Sequence, residues 1–360
     1  MPTQFWVRRD ALPQGKFITT DDMPPLADNQ ARIDIHQFAF TANNITYGVV
    51  GDRLGYWQFF PTNEDGWGII PVWGFGTIAE TNHPNLKIGE RIFGFFPMAS
   101  HAVLTVGRVS DRGITDAAAH RQELPAAYNT YVRADATEGY AKSLEAVNSL
   151  LRPAFITSFL LDDFFFDNDM FGASTIILTS ASSKTAFGTA FLLNSFRENR
   201  SAYKIVGLTS PSNVDFVQSL GCYDEVLPYD DITNLDASQA AAYMDFSGSP
   251  TVNRTLDHHF QDNLTHHAEV GLTHWDQTGT HEDSKEELFF APTQIEKRIK
   301  EWGGRGYHEH FNAAWMAFTN QAQNWIDVIH FTGQDNILNI YQDTITGKAS
   351  PKKGYMLSLR

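Results

Sequence analysis

A single cysteine, Cys222, stands in the 360 residues of this chain. No disulfide framework can form, and no cysteine-based zinc site. That usage suits a reducing compartment, and a cytoplasmic location is expected. Positive charge is scarce as well: 27 lysines and arginines stand against 42 aspartates and glutamates, a formal charge of −15. Nucleic acid and anionic membrane surfaces are therefore poor partners. Long apolar runs are missing. The longest, near Phe155 to Phe166, is broken by Asp162 and Asp163 and is too short to span a bilayer. Met1 to Asp10 holds no apolar core of signal-peptide length. There is no internal repeat, no low-complexity linker and no His-Glu-x-x-His spacing.

Hydrophobic residues make up 42% of the chain and aromatic residues 13%. At this length that composition supports two domains with their own cores. Residues 1 to about 150 read as strands and long loops. Arg32 to Phe40 alternates, and Gly74 to Glu80 and Arg91 to Phe96 are further strands. Aromatics interleave with Gly and Pro from Gly48 to Gly76. From about residue 150, strand-like runs alternate with helix-length segments, the pattern of a mostly parallel sheet. Lys184 to Arg197 predicts a helix with Phe187, Phe191, Leu192 and Phe196 as an apolar stripe. Glu225 to Leu227, Ala241 to Phe246 and Ala268 to Thr273 predict short strands. Near the end, Pro292 to Trp302 and Asn312 to Trp325 read as helical, and Val328 to Phe331 as a strand.

The most informative stretch begins at Ser174. An apolar strand, Ser174 to Thr179, runs into a turn of small residues, Ser180-Ala181-Ser182-Ser183-Lys184-Thr185-Ala186, which opens a helix. A second strand, Lys204 to Thr209, follows. Free N–H groups and the positive helix end at such a turn suit a dinucleotide diphosphate. An NAD site usually offers an acidic residue at the end of the second strand. Here that strand ends Thr209-Ser210-Pro211-Ser212-Asn213, with no carboxylate to repel a 2′-phosphate. Thr209, Ser210 and Asn213 can hydrogen-bond the phosphate and Lys184 can neutralise it, so NADP(H) is favoured over NAD. The bland alternative is an ordinary helix-capping turn beside a solvated lysine.

Several short motifs, in order, resemble the medium-chain dehydrogenase/reductase superfamily, the alcohol dehydrogenase and quinone reductase group. Gly74-Phe75-Gly76-Thr77-Ile78-Ala79-Glu80 resembles its G-x-x-x-G-x-V strand, and Lys87 to Ile92 the following G-D-R-V entry. Leu220-Gly221-Cys222-Tyr223-Asp224-Glu225-Val226 resembles L-G-A-D-x-V. Phe290-Ala291-Pro292 and Thr346-Gly347-Lys348 resemble the later F-x-R-P and T-G-K. The chain is most similar to a zinc-free branch known only as a domain of unknown function. The resemblance implies an α/β protein: a β-rich GroES-like domain, residues 1–150 with 290–360, and a doubly wound Rossmann-type parallel-sheet domain, residues 151–289. It also implies a homodimer. Phe75 and Gly76 stand where a Gly-His-Glu triplet would supply zinc ligands, so no metal is expected. The turn also departs from the superfamily in lacking its glycines.

Without a metal, a hydride enzyme must stabilise a developing oxyanion with hydrogen-bond donors. The resemblance points to a tyrosine of the first domain. Tyr56 is the first candidate and Tyr47 the second, each weighed against a wall role in an aromatic loop. By the same resemblance Thr157, Ser247, Gly248, Gly271, Leu272 and Thr273 line the nicotinamide end. The expected activity is NADPH-dependent reduction of an activated C=C or C=O in an apolar or aromatic small molecule. A non-catalytic nucleotide-binding relative is the alternative, and a lyase or isomerase using the nicotinamide transiently is a third. His258, His259, His266, His267, His274 and His281 cluster in sequence. They read as surface residues of a helix and its following loop rather than as metal ligands.

Overall fold

Residues 30–40 shape the first half of the molecule, because they pair with three other strands. The structure is a computed structural model, and it describes residues 1–21, 23–136, 140–270, 286–289 and 291–360. In chain order the first strands are β1 (Thr3–Arg8), β2 (Gly15–Thr19) and β3 (Gln30–Phe40), and the helix α1 (Ala42–Val49) follows. Then come β4 (Trp67–Gly68), β5 (Pro71–Thr81), β6 (Arg91–Pro97), β7 (His101–Ser110), β8 (Gly113–Asp116) and β9 (Thr130–Arg133). Strands β3, β5, β6, β9, β8 and β7 pair in that order, and β3 pairs again with β7, which closes a barrel. Irregularities in β3 between Arg32 and Ile33 and between Ile35 and Gln37 let one strand serve several partners. Ile33, Ile35, Phe38, Ile78, Ile92 and Phe95 are buried there.

One ion pair ties a loop to this barrel. Arg121 and Asp116 sit 3.1 Å apart, each side chain only 2% exposed. The Arg121 guanidinium also donates to the Phe59 carbonyl at 3.1 Å and to the Tyr131 hydroxyl at 3.2 Å. Tyr131 in turn donates to the Phe95 carbonyl at 2.7 Å. The segment carrying Phe59 is thereby held against β6, β8 and β9.

The long helix α2 (Glu145–Asp167) leads into the second half. There follow β10 (Thr175–Leu178), α3 (Lys184–Ser195), β11 (Lys204–Thr209), α4 (Val214–Ser219), β12 (Glu225–Pro228), β13 (Ala241–Asp245), α5 (Pro250–Phe260), β14 (Leu264–Glu269), β15 (Glu286–Leu288) and α6 (Ala291–Ala322). Every pairing in this sheet is parallel, in the order β12-β11-β10-β13-β14-β15. That is the doubly wound dinucleotide-fold order, with its switch point between the first and fourth strands, β10 and β13. Phe155 of α2 stacks on Phe318 of α6 at 4.4 Å, and Phe191 of α3 meets the same ring at 5.3 Å. Gly188 lets α3 lie close to α2, since a β-carbon there would stand 2.6 Å from the Ser158 hydroxyl.

The chain ends with β16 (Asp327–Thr332), α7 (Gln334–Ile345) and β17 (Lys353–Ser358). Strand β17 pairs antiparallel with the end of β3, Tyr355 opposite Phe40. Two compact units result, residues 1–150 with 327–360 and residues 151–326. The architecture is a β-rich, GroES-like domain and a Rossmann-type domain.

Several expectations need correction. A return at residue 290 would put α6 in the first unit, but its Phe311, Trp315 and Phe318 pack on Phe155 of the second. The two helices expected near the end form one element broken at Gly303, whose φ is +71°. Residues 42–49 form a helix, not a loop, because Asn44 accepts from the Thr41 N–H and donates to the Pro71 carbonyl. His266 and His267 are buried strand residues of β14, not surface ones. The His267 ring lies 4.0 Å from that of Tyr243 and hydrogen-bonds its hydroxyl, while His266 stacks on Phe171 at 3.6 Å. Burial holds His266 near pKa 4, a neutral ring. Phe196 leaves the α3 stripe and is 42% exposed.

Replacing Arg121 by Met strands the Asp116 carboxylate in the barrel. The expected loss is about 3–5 kcal/mol, the range for half of a buried pair. Urea unfolding followed by near-UV signal checks it; a change below about 1 kcal/mol refutes the tie.

Candidate functional site

The carboxyl ends of β10 and β13 hold a buried carboxylate that organises the second unit's turn. Asp245 is the last residue of β13 and is fully buried. One oxygen accepts from the Thr179 hydroxyl at 2.7 Å, the Ser247 N–H at 2.8 Å, the Ser247 hydroxyl at 2.7 Å and the Gly248 N–H at 3.1 Å. The other accepts from the Asn253 amide at 2.9 Å. Gly248 has φ +64°, so the chain can bend back over the carboxylate. Thr179, at the exit of β10, is thus joined to Ser247 and Gly248, two of the residues singled out in the sequence.

The turn after Thr179 is strained at its first step. Ser180 adopts φ +44°, left-handed without being glycine. Its N–H donates to the Tyr229 hydroxyl at 2.9 Å. The Ser183 hydroxyl caps α3 by accepting from the Ala186 N–H at 3.2 Å. The N–H groups of Ser182 and Thr185 find no acceptor among the described residues. They sit at the positive end of the α3 dipole, the arrangement that receives an anion. The Asn213 amide donates to the Ser210 hydroxyl at 2.9 Å and to Ser182 at 3.4 Å. The structure therefore brings Ser182, Ser210 and Asn213 to one place, beside the end of β11 where Thr209 is buried. Lys184 opens α3, and burial lowers its ammonium to about 8. Thr157 is half-buried on α2. Its neighbour Ser158 donates to the Thr185 carbonyl at 2.7 Å, which fixes the start of α3. Gly271, Leu272 and Thr273, with His274 and His281, lie outside the described residues.

In the first unit the two candidate tyrosines meet. The rings of Tyr47 and Tyr56 are 4.6 Å apart, with Phe95 and Tyr128 against them. Their hydrogen bonds differ. The Tyr56 and Tyr128 hydroxyls share one bond of 2.9 Å. The Tyr47 oxygen instead accepts twice, from the Asn43 amide at 2.9 Å and from the Trp73 indole at 3.2 Å. Burial raises both phenols above their usual pKa, so each keeps its proton.

Residues 38–350 match the model of a family described as "Protein of unknown function (DUF2855)". The chain belongs to that family. No curated protein sequence matches it. Solved structures similar to this DUF2855 protein share its fold at low identity. CurA from Vibrio vulnificus in complex with NADPH is 12% identical with a TM-score of 0.65, over 99% of each chain. CurK enoyl reductase is 12% identical at 0.54, over 99% of each chain. The yhdH oxidoreductase from Salmonella enterica in complex with NADP is 11% identical at 0.53, over 100% of each chain. The chain shares the fold of these structures.

Phe75 and Gly76, where the resemblance would place zinc ligands, carry no ligating side chain. Phe75 packs on Phe93 at 5.0 Å, and a β-carbon on Gly76 would stand 2.5 Å from Ile33. Among the described residues, no three His, Cys, Asp or Glu side chains gather to hold a metal. No described helix is long and apolar enough to cross a membrane. Sequence reasoning missed Asp245, Tyr229 and Tyr128. Asp245 had a signal, since it ends an apolar strand two residues before Ser247-Gly248. The two tyrosines had none, because their partners lie 49 and 72 residues away.

Asp245→Ala removes the acceptor of five bonds. It is expected to cost about 3–5 kcal/mol, the scale of a buried charge-assisted network. Asp245→Asn keeps the shape but turns one oxygen into a donor facing donors, and is expected to lose about half as much. Equal stability of both variants and the wild type, by chemical denaturation, would sink this role.

Proposed function

We propose that this protein is an NADPH-dependent reductase of activated C=C or C=O bonds that works without zinc. The observation that carries the proposal is the linkage of Ser182, Ser210 and Asn213 beside two unpartnered turn amides at the sheet's switch point. The Ser182 and Thr185 N–H groups would hold the diphosphate. Ser210, Asn213 and Lys184 would hold the 2′-phosphate, with no carboxylate at the end of β11 to repel it. Tyr229 adds a hydroxyl against Ser180. Thr157, Ser247, Gly248, Gly271, Leu272 and Thr273 belong to the nicotinamide end in this proposal. NADPH, when bound, supplies a hydride. The protein must then exclude water and stabilise negative charge on the substrate oxygen. A raised phenol pKa suits a donor that stays protonated through the reaction.

Tyr47 is the better donor of the two. Two N–H groups already occupy its oxygen lone pairs, so its own O–H points elsewhere, with no acceptor among the described residues. Tyr56 and Tyr128 bond to each other, and one of their two protons is committed to that bond. Tyr56 keeps a role as wall and as support for Tyr47. A homodimer is proposed through the outer edge of β15, which ends the parallel sheet. A non-catalytic nucleotide binder is the second reading, favoured by the Ser180 amide already being bonded to Tyr229.

Titration with NADPH, read by tryptophan fluorescence, followed by turnover on enones, quinones and enoyl thioesters, separates these readings. Binding with NADPH oxidation supports the first, and binding alone the second. No response to NADPH at millimolar concentration removes both. Tyr47→Phe is expected to lower kcat by about 10²–10⁴-fold, the range for a positioned proton donor, and Tyr56→Phe by less than tenfold. The opposite ranking returns the role to Tyr56.

Affinity for NADPH should also depend on pH through Lys184. With its pKa held near 8, the side chain is increasingly neutral above that pH. Facing a phosphate it must be charged, so binding takes up a proton there. Affinity is constant below about pH 8 and falls by up to about tenfold per pH unit above it. Lys184→Met should weaken binding below pH 8 and flatten the dependence; an unchanged slope would show another group at work.

A further inference from the structure

Arg152 lies five residues before Thr157 on α2, about one and a half turns. Its guanidinium stands over the rings of Phe311, 5.2 Å from the centroid, and Trp315, 5.8 Å away. Both rings are buried in the seam between α2 and α6. Two other arginines meet carboxylates near the C-terminal end of α2. Arg200 makes a two-pronged bond to Asp162, and Arg298 contacts Asp163, Asp167 and Glu301. Arg152 has no hydrogen-bond acceptor and no acidic neighbour among the described residues. Its electrostatic partner there is Tyr307. Tyr307 is buried on α6, and burial raises its phenol to about 12, so it too presents a proton.

Aromatic faces attract the flat side of a guanidinium but cannot accept its five in-plane N–H donors. No acceptor among the described residues meets those donors, and burial against the seam depresses the Arg152 pKa. The residue is half-buried, so its outer edge remains reachable. A planar fork of donors with an apolar floor matches a carboxylate on an apolar body, which can engage two N–H groups at once. We propose that Arg152 is the anchor of a carboxylate-binding site on α2, taking the acid group of an apolar small molecule. Joined to the reductase reading, and resting on it only in this clause, the site narrows the substrate to an unsaturated acid or an acyl compound ending in an anion.

Calorimetry on the full chain without NADPH tests the site. The probes are trans-cinnamate, benzoate and octanoate, with trans-cinnamamide as the neutral isostere and inorganic phosphate as a competitor. At least one carboxylate is expected to bind at least about tenfold tighter than the amide, the scale of one charge-assisted contact. Arg152→Met should remove that preference, and Arg152→Lys, which keeps charge but loses the fork, should retain part of it. Thermal midpoints of both variants report whether the seam survives; if Arg152→Met fails to fold, Arg152→Gln replaces it. The proposal is overturned if no carboxylate binds, if Arg152→Met binds as the wild type does, or if phosphate competes as strongly as cinnamate. An arginine that only caps the aromatic seam would give the second of these results together with a lowered midpoint. Because no cofactor is added, a failure to bind NADPH leaves this test intact, and a failure here leaves NADPH binding intact.

Discussion

The Asp245 carboxylate is the constraint on which the second unit depends. A charge withdrawn from water inside a sheet must be answered by donors, and five of them converge on its two oxygens. Because one donor comes from Thr179 and two from backbone N–H groups of 247 and 248, satisfying the charge also sets the exits of β10 and β13. The switch-point crevice of a doubly wound sheet lies between those exits. A turn with serines in place of glycines therefore does not stand alone. Ser180 holds a left-handed conformation that would be costly in isolation, and its amide is bonded to Tyr229 from the third strand's exit.

The first unit solves a different problem with the same economy of charge. Arg121 and Asp116 are buried together, and the guanidinium spends its remaining donors on a loop carbonyl and a phenol. That fixes Phe59, and through ring contacts the Tyr56 and Tyr128 pair, while α1 is fixed independently by Asn44. Tyr47 and Tyr56 thus arrive beside each other from separately anchored segments. The difference between them lies in their partners rather than in exposure, since each is 6% exposed.

The fold was legible where pattern and spacing carry it. Strand–helix alternation after residue 150 and apolar alternation in Arg32 to Phe40 both reflect local periodicity, and both correspond to observed elements. The helix over 42–49 was hidden because Asn43, Asn44 and Gly48 read as turn residues, and its support is a carbonyl 27 positions away. His266 and His267 misled for a related reason. Adjacent polar residues look exposed, yet a parallel strand covered on both faces buries both, provided each ring finds an aromatic or a hydroxyl partner. At the site, the serines and Asn213 could be named from the sequence, whereas Tyr229, Asp245 and the indole on Tyr47 are long-range contacts that no local rule reveals.

The pairing of β17 with β3 has a consequence for synthesis on the ribosome. The strand that flanks residue 40 is made of residues 353–358, so the barrel's neighbour is missing until those residues have been made. Residues 151–326 form a unit whose strands all pair among themselves, and they emerge earlier. The parallel sheet can therefore mature while the strands before residue 150 still wait for residues 353–358, an order of events opposite to the order of the sequence.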